Sequence, residues 1–233
     1  MNRVYTVGVL SIQGSFREHM SHLDLLFQDL NEKTTRFLSK KVGKLEDLDK
    51  LDGLIIPGGE STTMTILLQR TQMFDRLQYM IQVEKLPVWG TCAGLILLSN
   101  HVSNTKTQLG DLSFKPLGGL DVQVERNSFG RQLDSFKKVY RLSGFDGELR
   151  DADYECVFIR APTICKHIEN TVNAVKANTL AINDAPVEVL LEIGDKVVAV
   201  RQGNVLGTSF HPELNPGDYR MHKWFVDQFI VNR

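Results

Sequence analysis

The chain predicts an α/β class: a doubly wound fold with a largely parallel central sheet and an antiparallel extension. Three observations carry it. In the first half, short apolar runs alternate with helical stretches whose apolar residues recur every three or four positions, the rhythm of βα units. Glycine turns close the runs ending near Ile12, Ile56 and Trp89. In the second half, Gly194-Asp195 and Gly203-Asn204 join β-type runs as hairpin dipeptides. No internal repeat, low-complexity tract or Pro/Ser-rich linker divides the chain, so residues 1–233 read as one domain.

The elements follow in order. Residues 4–12 are β-branched and apolar, as in a buried parallel strand, and they stop at Gln13-Gly14. Phe16, Met20, Leu23, Phe27 and Leu30 then mark an amphipathic helix. His19 and His22 lie three apart on it, but no carboxylate stands at ligand spacing, so they read as a solvated or packed face and not as a metal site. Residues 34–38 make a weak strand and residues 40–50 a charged linker. Residues 51–56 make a strong strand that breaks into Pro57-Gly58-Gly59-Glu60-Ser61-Thr62-Thr63, a tight turn with capping residues ahead of a helix. A helix over 73–83 leads to the apolar run Pro87-Val88-Trp89. Residues 101–108 read as a polar loop, 118–126 as a strand with one wet face, and 154–162 as a strand halted by Pro162. Residues 187–193, 196–202 and 205–210 are three further strands, and 218–231 form a final amphipathic helix.

Composition narrows the function. With 42% hydrophobic and 24% charged residues the chain is an ordinary globular protein, and its net charge of −1 gives no electrostatic case for nucleic acid or a membrane surface. No apolar run approaches a membrane span and the first residues lack a cleavage-site pattern, so a cytoplasmic protein is expected. Cys92, Cys156 and Cys165 are an odd count without C-x-x-C spacing, which suggests neither a disulfide framework nor zinc.

The chemistry centres on Gly90-Thr91-Cys92-Ala93-Gly94. A Gly-x-Cys-x-Gly turn between an apolar run and a helical run has the layout of a nucleophile elbow, which lifts Cys92 above the sheet edge. A helix N-terminus there favours thiolate, and the Ala93 N–H supplies half of an oxyanion hole. A structural cysteine is the alternative, against which the two flanking glycines argue. The Gly58-Gly59 turn can present N–H groups to an oxyanion, or can be a plain βα turn. A cysteine nucleophile needs a base and a group to orient it. His211-Pro212-Glu213 follows the last strand, and its spacing lets the Glu213 carboxylate reach back to one imidazole nitrogen while the other faces the thiol.

These blocks stand in the order of the class I, or triad, glutamine amidotransferases, a flavodoxin-like doubly wound group that the chain resembles. More closely it resembles the glutaminase subunits of pyridoxal 5′-phosphate synthases. The marks of that branch are Gln13-Gly14 with Arg17-Glu18-His19, the run Gly59 to Met64, the run Glu125 to Gln132 with Asp134-Ser135-Phe136, and Phe158-Ile159-Arg160-Ala161-Pro162. Residues 40–50, 101–108 and 170–186 are longer or more polar than a compact member requires.

The resemblance implies hydrolysis of L-glutamine to glutamate and ammonia through a thioester on Cys92, with His211 as base and acid and Glu213 holding its tautomer. It implies an oxyanion hole from Gly58, Gly59 and Ala93, and glutamine binding by Gly59, Glu60, Ser61, Arg126, Ile159 and Arg160. An Arg suits the substrate α-carboxylate because its planar fork binds both oxygens. No cofactor or metal is implied. A barrel-shaped synthase subunit that receives the ammonia is implied as partner in a hetero-oligomer, with Gln13 at the interface. Service to a different acceptor synthase, another cysteine hydrolase, and an inactive regulatory subunit are the rival readings.

Overall fold

The structure is a computed structural model and describes residues 3–31, 35–103, 114–126, 135–165 and 175–232. The chain opens with β1 (Arg3–Leu10), α1 (Phe16–Leu30), β2 (Thr35–Val42), β3 (Gly53–Ile56), α2 (Ser61–Arg70), α3 (Met73–Gln82), β4 (Val88–Thr91) and α4 (Ala93–Leu98). It continues through β5 (Ser99–Ser103), β6 (Leu120–Glu125), β7 (Ser135–Arg141), β8 (Asp153–Ile159), β9 (Thr163–Cys165) and β10 (Val175–Lys176). The last elements are β11 (Glu188–Ile193), β12 (Lys196–Gln202), β13 (Val205–Thr208) and α5 (Arg220–Phe225), which runs on into a π-helical stretch, Val226–Val231.

One half of the main sheet is the parallel block β2-β1-β3-β4-β13. Every residue of β3, β4 and β13 is buried, as strands covered on both faces must be. Alternate side chains feed two separate cores. Leu54, Ile56 and Val88 pack with α2, α3 and α4 on one face, whereas Ile55 and Trp89 pack with α1 and α5 on the other. Beyond β13 the sheet continues as β12-β9-β6-β5-β10, with β11 also on β12 and the β5–β6 pair parallel. The hairpins at Gly194 (φ 62°) and Gly203 (φ 54°) close two-residue loops, and left-handed backbone there is why glycine was a reliable signal.

Several expectations change. The weak strand at 34–38 extends to Val42 because all eight of its residues register against β1, leaving one 3₁₀ turn, Leu45–Leu48, in the expected linker. Residues 101–103 are strand and not loop: β6 and β10 flank them, and Val102 is fully buried. Gln123 is buried too, so the wet face of β6 is covered there. Residues 153–159 do form a strand, but in a separate ribbon with β7, an element the sequence did not announce. Residues 104–108, 127–134 and 170–174, parts of the expected loops and of the Glu125–Gln132 run, lie outside the described residues.

Candidate active site

At the carboxyl ends of β3, β4 and β13 the chain turns sharply. Cys92 takes φ 48° and ψ −101°, a conformation that costs a non-glycine residue about 1–3 kcal/mol and that the surrounding packing must impose. The elbow glycines are there for close approach. A Cβ on Gly94 would lie 2.0 Å from the Ile56 carbonyl oxygen, and one on Gly90 would lie 2.4 Å from the Gly94 backbone. Cys92 N–H donates to Thr208 O at 2.8 Å, which pins the elbow to β13. α4 is only six residues long, so less than two turns of aligned peptides stand behind the thiol. Ala93 opens that helix, where its N–H has no intrahelical acceptor.

The base comes from the end of β13. His211 N–H donates to Val157 O of β8 at 2.8 Å, and Pro212 starts a 3₁₀ turn that folds Glu213 back onto the ring. Glu213 Oε1 lies 2.8 Å from His211 Nδ1, which leaves Nε2 for Cys92. Burial alone would lower the His211 pKa, but its hydrogen bonds to Cys92 and Glu213 outweigh that and raise it to about 10. Burial would likewise raise Glu213, yet its electrostatic interaction with the adjacent His19 ring and the bonds to His211 and Ser15 hold it down to about 2. The pair is therefore poised as imidazolium and carboxylate next to the sulfur.

The glycine turn packs over this pair. A Cβ on Gly58 would sit 2.3 Å from His211 Cε1 and 3.4 Å from Cys92 Cβ. Ser15 N–H donates to Gly58 O at 3.0 Å. In a trans peptide this turns the Gly59 N–H the opposite way, free of the α1 end. Ser15 Oγ also donates to Glu213 Oε1 at 2.6 Å, so one serine braces both the glycine turn and the triad carboxylate. Ser15 and His19, whose Nε2 is 3.3 Å from Glu213 Oε2, are the functional neighbours that sequence reasoning missed. The sequence signal for Ser15 was its place after Gly14 at the end of β1. His19 stood among the marks of the resemblance, in Arg17-Glu18-His19, but its contact with Glu213 could not be read because that partner is far away in the chain.

The other expected site residues line a cavity of about 480 Å³ together with Cys92 and His211. That volume suits a small ligand. Glu60 spends its carboxylate on capping α2, accepting from Thr62 N–H at 3.0 Å and Thr63 N–H at 2.6 Å, and it pairs with Arg126 at 3.5 Å. Burial would raise its pKa, but these donors lower it. Arg126 enters from the end of β6 with its side chain largely buried. The Ile159 carbonyl lies 4.0 Å from Cys92 Sγ, and the exposed Arg160 beside it has φ 43°. Gln13 Oε1 accepts the Glu60 N–H at 3.0 Å, so this residue is tied to the glycine turn. Ser61 is buried at the start of α2.

Attack of a thiolate on a carbonyl carbon, with protons carried by one imidazole, is the chemistry this arrangement permits, on a fold of the doubly wound class. Comparison with known proteins narrows the class. The chain belongs to the SNO glutamine amidotransferase family, whose model matches residues 9–231. It is 40% identical over 224 residues to "Pyridoxal 5'-phosphate synthase subunit PdxT" of Staphylococcus epidermidis, covering 96% of this chain and 98% of that protein. It is also 40% identical over 228 residues to "Pyridoxal 5'-phosphate synthase subunit SNO1" of Saccharomyces cerevisiae, covering 97% and 93%. A solved structure described as a glutamine amidotransferase superposes with a TM-score of 0.72 at 37% identity, covering 95% of this chain and 97% of that one.

Proposed function

We propose that this chain is a single glutaminase domain that hydrolyses L-glutamine and passes the ammonia to a pyridoxal 5′-phosphate synthase subunit. Cys92 sulfur attacks the side-chain amide carbon, and the oxyanion is held by the N–H groups of Ala93 and of the Gly58-Gly59 turn. His211 gives its proton to the departing nitrogen as the C–N bond breaks, leaving a γ-glutamyl thioester and ammonia. A water then attacks the thioester while His211 takes its proton, and glutamate leaves as the thiol is restored. Arg126, with Arg160 at the rim, faces the α-carboxylate of the substrate. Gly59, Glu60, Ser61 and Ile159 complete the glutamine pocket. The observation that carries this reading is the His211–Glu213 contact of 2.8 Å, set beside Cys92 and beneath Gly58.

The relatives' names support the acceptor. Ammonia released into water is lost to an acceptor enzyme, so a docked barrel-type synthase subunit in a hetero-oligomer is the partner, and Gln13 lies where docking would reach the glycine turn. No cofactor is needed for the glutaminase half-reaction. The test is ammonia release from glutamine by the wild type and by Cys92→Ala, each with the synthase subunit present. Release should vanish in the variant; unchanged release would overturn the reading. Equal wild-type rates with and without the synthase would overturn the coupling.

A further inference from the structure

Behind the triad lies a buried row of imidazoles that the reaction above does not use. Glu213 is fully buried, and its Oε1 is occupied by Ser15 Oγ at 2.6 Å and His211 Nδ1 at 2.8 Å. Its Oε2 makes no hydrogen bond among the described residues, and the nitrogen it faces is His19 Nε2 at 3.3 Å. That nitrogen is also 3.3 Å from the hydroxyl of Thr91, the residue before the nucleophile. On the far side, His19 Nδ1 is 2.8 Å from His222 Nε2, and His222 Nδ1 is 3.3 Å from His22 Nδ1. The three rings come from α1 and α5; His222 packs against both His19 and His22, and His19 and His222 pack against Trp89.

The protons in this row can be placed by elimination. Two nitrogens 2.8 Å apart share a single proton. Were it on His19 Nδ1, the neutral ring would turn a bare lone pair on Nε2 toward a carboxylate in a dry pocket. The proton therefore sits on His222 Nε2, His19 carries its own on Nε2, and His222 Nδ1 is left bare to accept from His22. Every N–H in the row points toward Glu213. Burial keeps His19 and His222 neutral: His19 is lowered to about 4, and His222 falls well below its ordinary value. The titratable groups facing His19 are Glu213 and His211 from the loop after β13, His222 from α5, and Glu18 and His22 from its own helix.

We propose that His19 is a positioning residue for the reaction, holding its Nε2–H against the outer oxygen of Glu213 and locked in that tautomer through His222 by His22. This rests on the reading of Cys92, His211 and Glu213 as the triad. In an isolated pair the carboxylate could rotate, or protonate in its dry surroundings; with the His19 Nε2–H set 3.3 Å from Oε2, the outer oxygen faces a donor and Oε1 stays aimed at His211.

The test uses the chain assembled with its synthase partner for kinetics, and histidine-labelled chain for NMR. In the wild type, ¹⁵N shifts should show His19 and His222 protonated at Nε2 and bare at Nδ1. A bare Nε2 on His19 would overturn the proposal, and this readout needs no variant to fold. His19→Leu should lower kcat for ammonia release about tenfold or more with KM for glutamine within about twofold, and should move the His211 titration midpoint downward. His19→Gln keeps a donor for Glu213 and an acceptor for His222, so it should restore kcat to within a few-fold of wild type. Equal losses in both variants with the His211 midpoint unmoved would mean His19 only fills space, and would overturn the proposal. Ammonia release that survives Cys92→Ala would instead strike the triad reading, leaving the tautomers to decide the role of His19.

Discussion

Gly58→Ala separates catalytic geometry from stability. Its backbone does not lie in the left-handed region, so the added methyl acts through contact alone. That methyl would sit 2.3 Å from His211 Cε1, and ordinary carbon contact lies near 3.4 Å or beyond, so the ring must retreat by about 1 Å. The ring is held by Glu213 at 2.8 Å and by Cys92, and a retreat stretches one or both contacts. A displacement of about 1 Å at reacting atoms costs on the order of 100-fold in rate, or about 2.7 kcal/mol of barrier. Because a side-chain tip yields and not a backbone, the fold should persist. Gly94→Ala is the contrast: its methyl would meet the Ile56 carbonyl oxygen at 2.0 Å, backbone against backbone. That should cost about 3 kcal/mol or more, lowering Tm by roughly 6–12 °C. The assay is ammonia release by the variant with the synthase present, beside a thermal melt. A Gly58→Ala protein with wild-type kcat would refute the claim that this glycine exists to let the turn lie on the imidazole.

Arg126→Ala should raise KM for glutamine by roughly 10–150-fold, the worth of a charged hydrogen-bonded contact, with a smaller effect on kcat; steady-state kinetics would show it. Stability should fall on both sides of neutrality. His19 is buried neutral, so unfolding gains a proton below its unfolded value of 6.5, and stability is lost as pH drops from there toward about 4. Glu213 adds to this below 4.5, where its stabilisation is lost as pH falls through about 2. His211 is raised to about 10, so its contribution is full below 6.5 and disappears as pH rises through 10. Melts across pH 4–10 check the profile, and His19→Gln should flatten the limb between 6.5 and 4.

Much of this was legible because the governing interactions are local. The elbow declared itself through Gly90 and Gly94, which stand where backbone meets backbone, and the hairpins through Gly194 and Gly203, which need left-handed φ. His211 and Glu213 were readable because two residues of spacing suffice to fold one onto the other. What escaped notice depends on distant partners. β7 exposes most of its residues and is a strand only because β8 pairs with it. Ser99–Ser103 looks polar but has neighbours on both sides. His19 was expected to be merely packed or solvated, and its role depends on Glu213 and His222, roughly two hundred residues further on. Glu60, expected in the glutamine pocket, lines the cavity, and that its carboxylate also caps α2 was not read from the sequence.

The place of β13 bears on how the molecule is made. It lies between β4 and β12 in the middle of the sheet, matched residue for residue from Val205 against Val88 to Thr208 against Thr91, yet more than a hundred residues separate the two strands in the chain. Until β13 arrives, the apolar strand that leads to Cys92 has one open edge, with its amide and carbonyl groups unpaired on that side. From the emergence of β4 until that of β13, a nascent chain of this protein therefore carries a sticky ribbon, and the site is assembled only once β13 has docked.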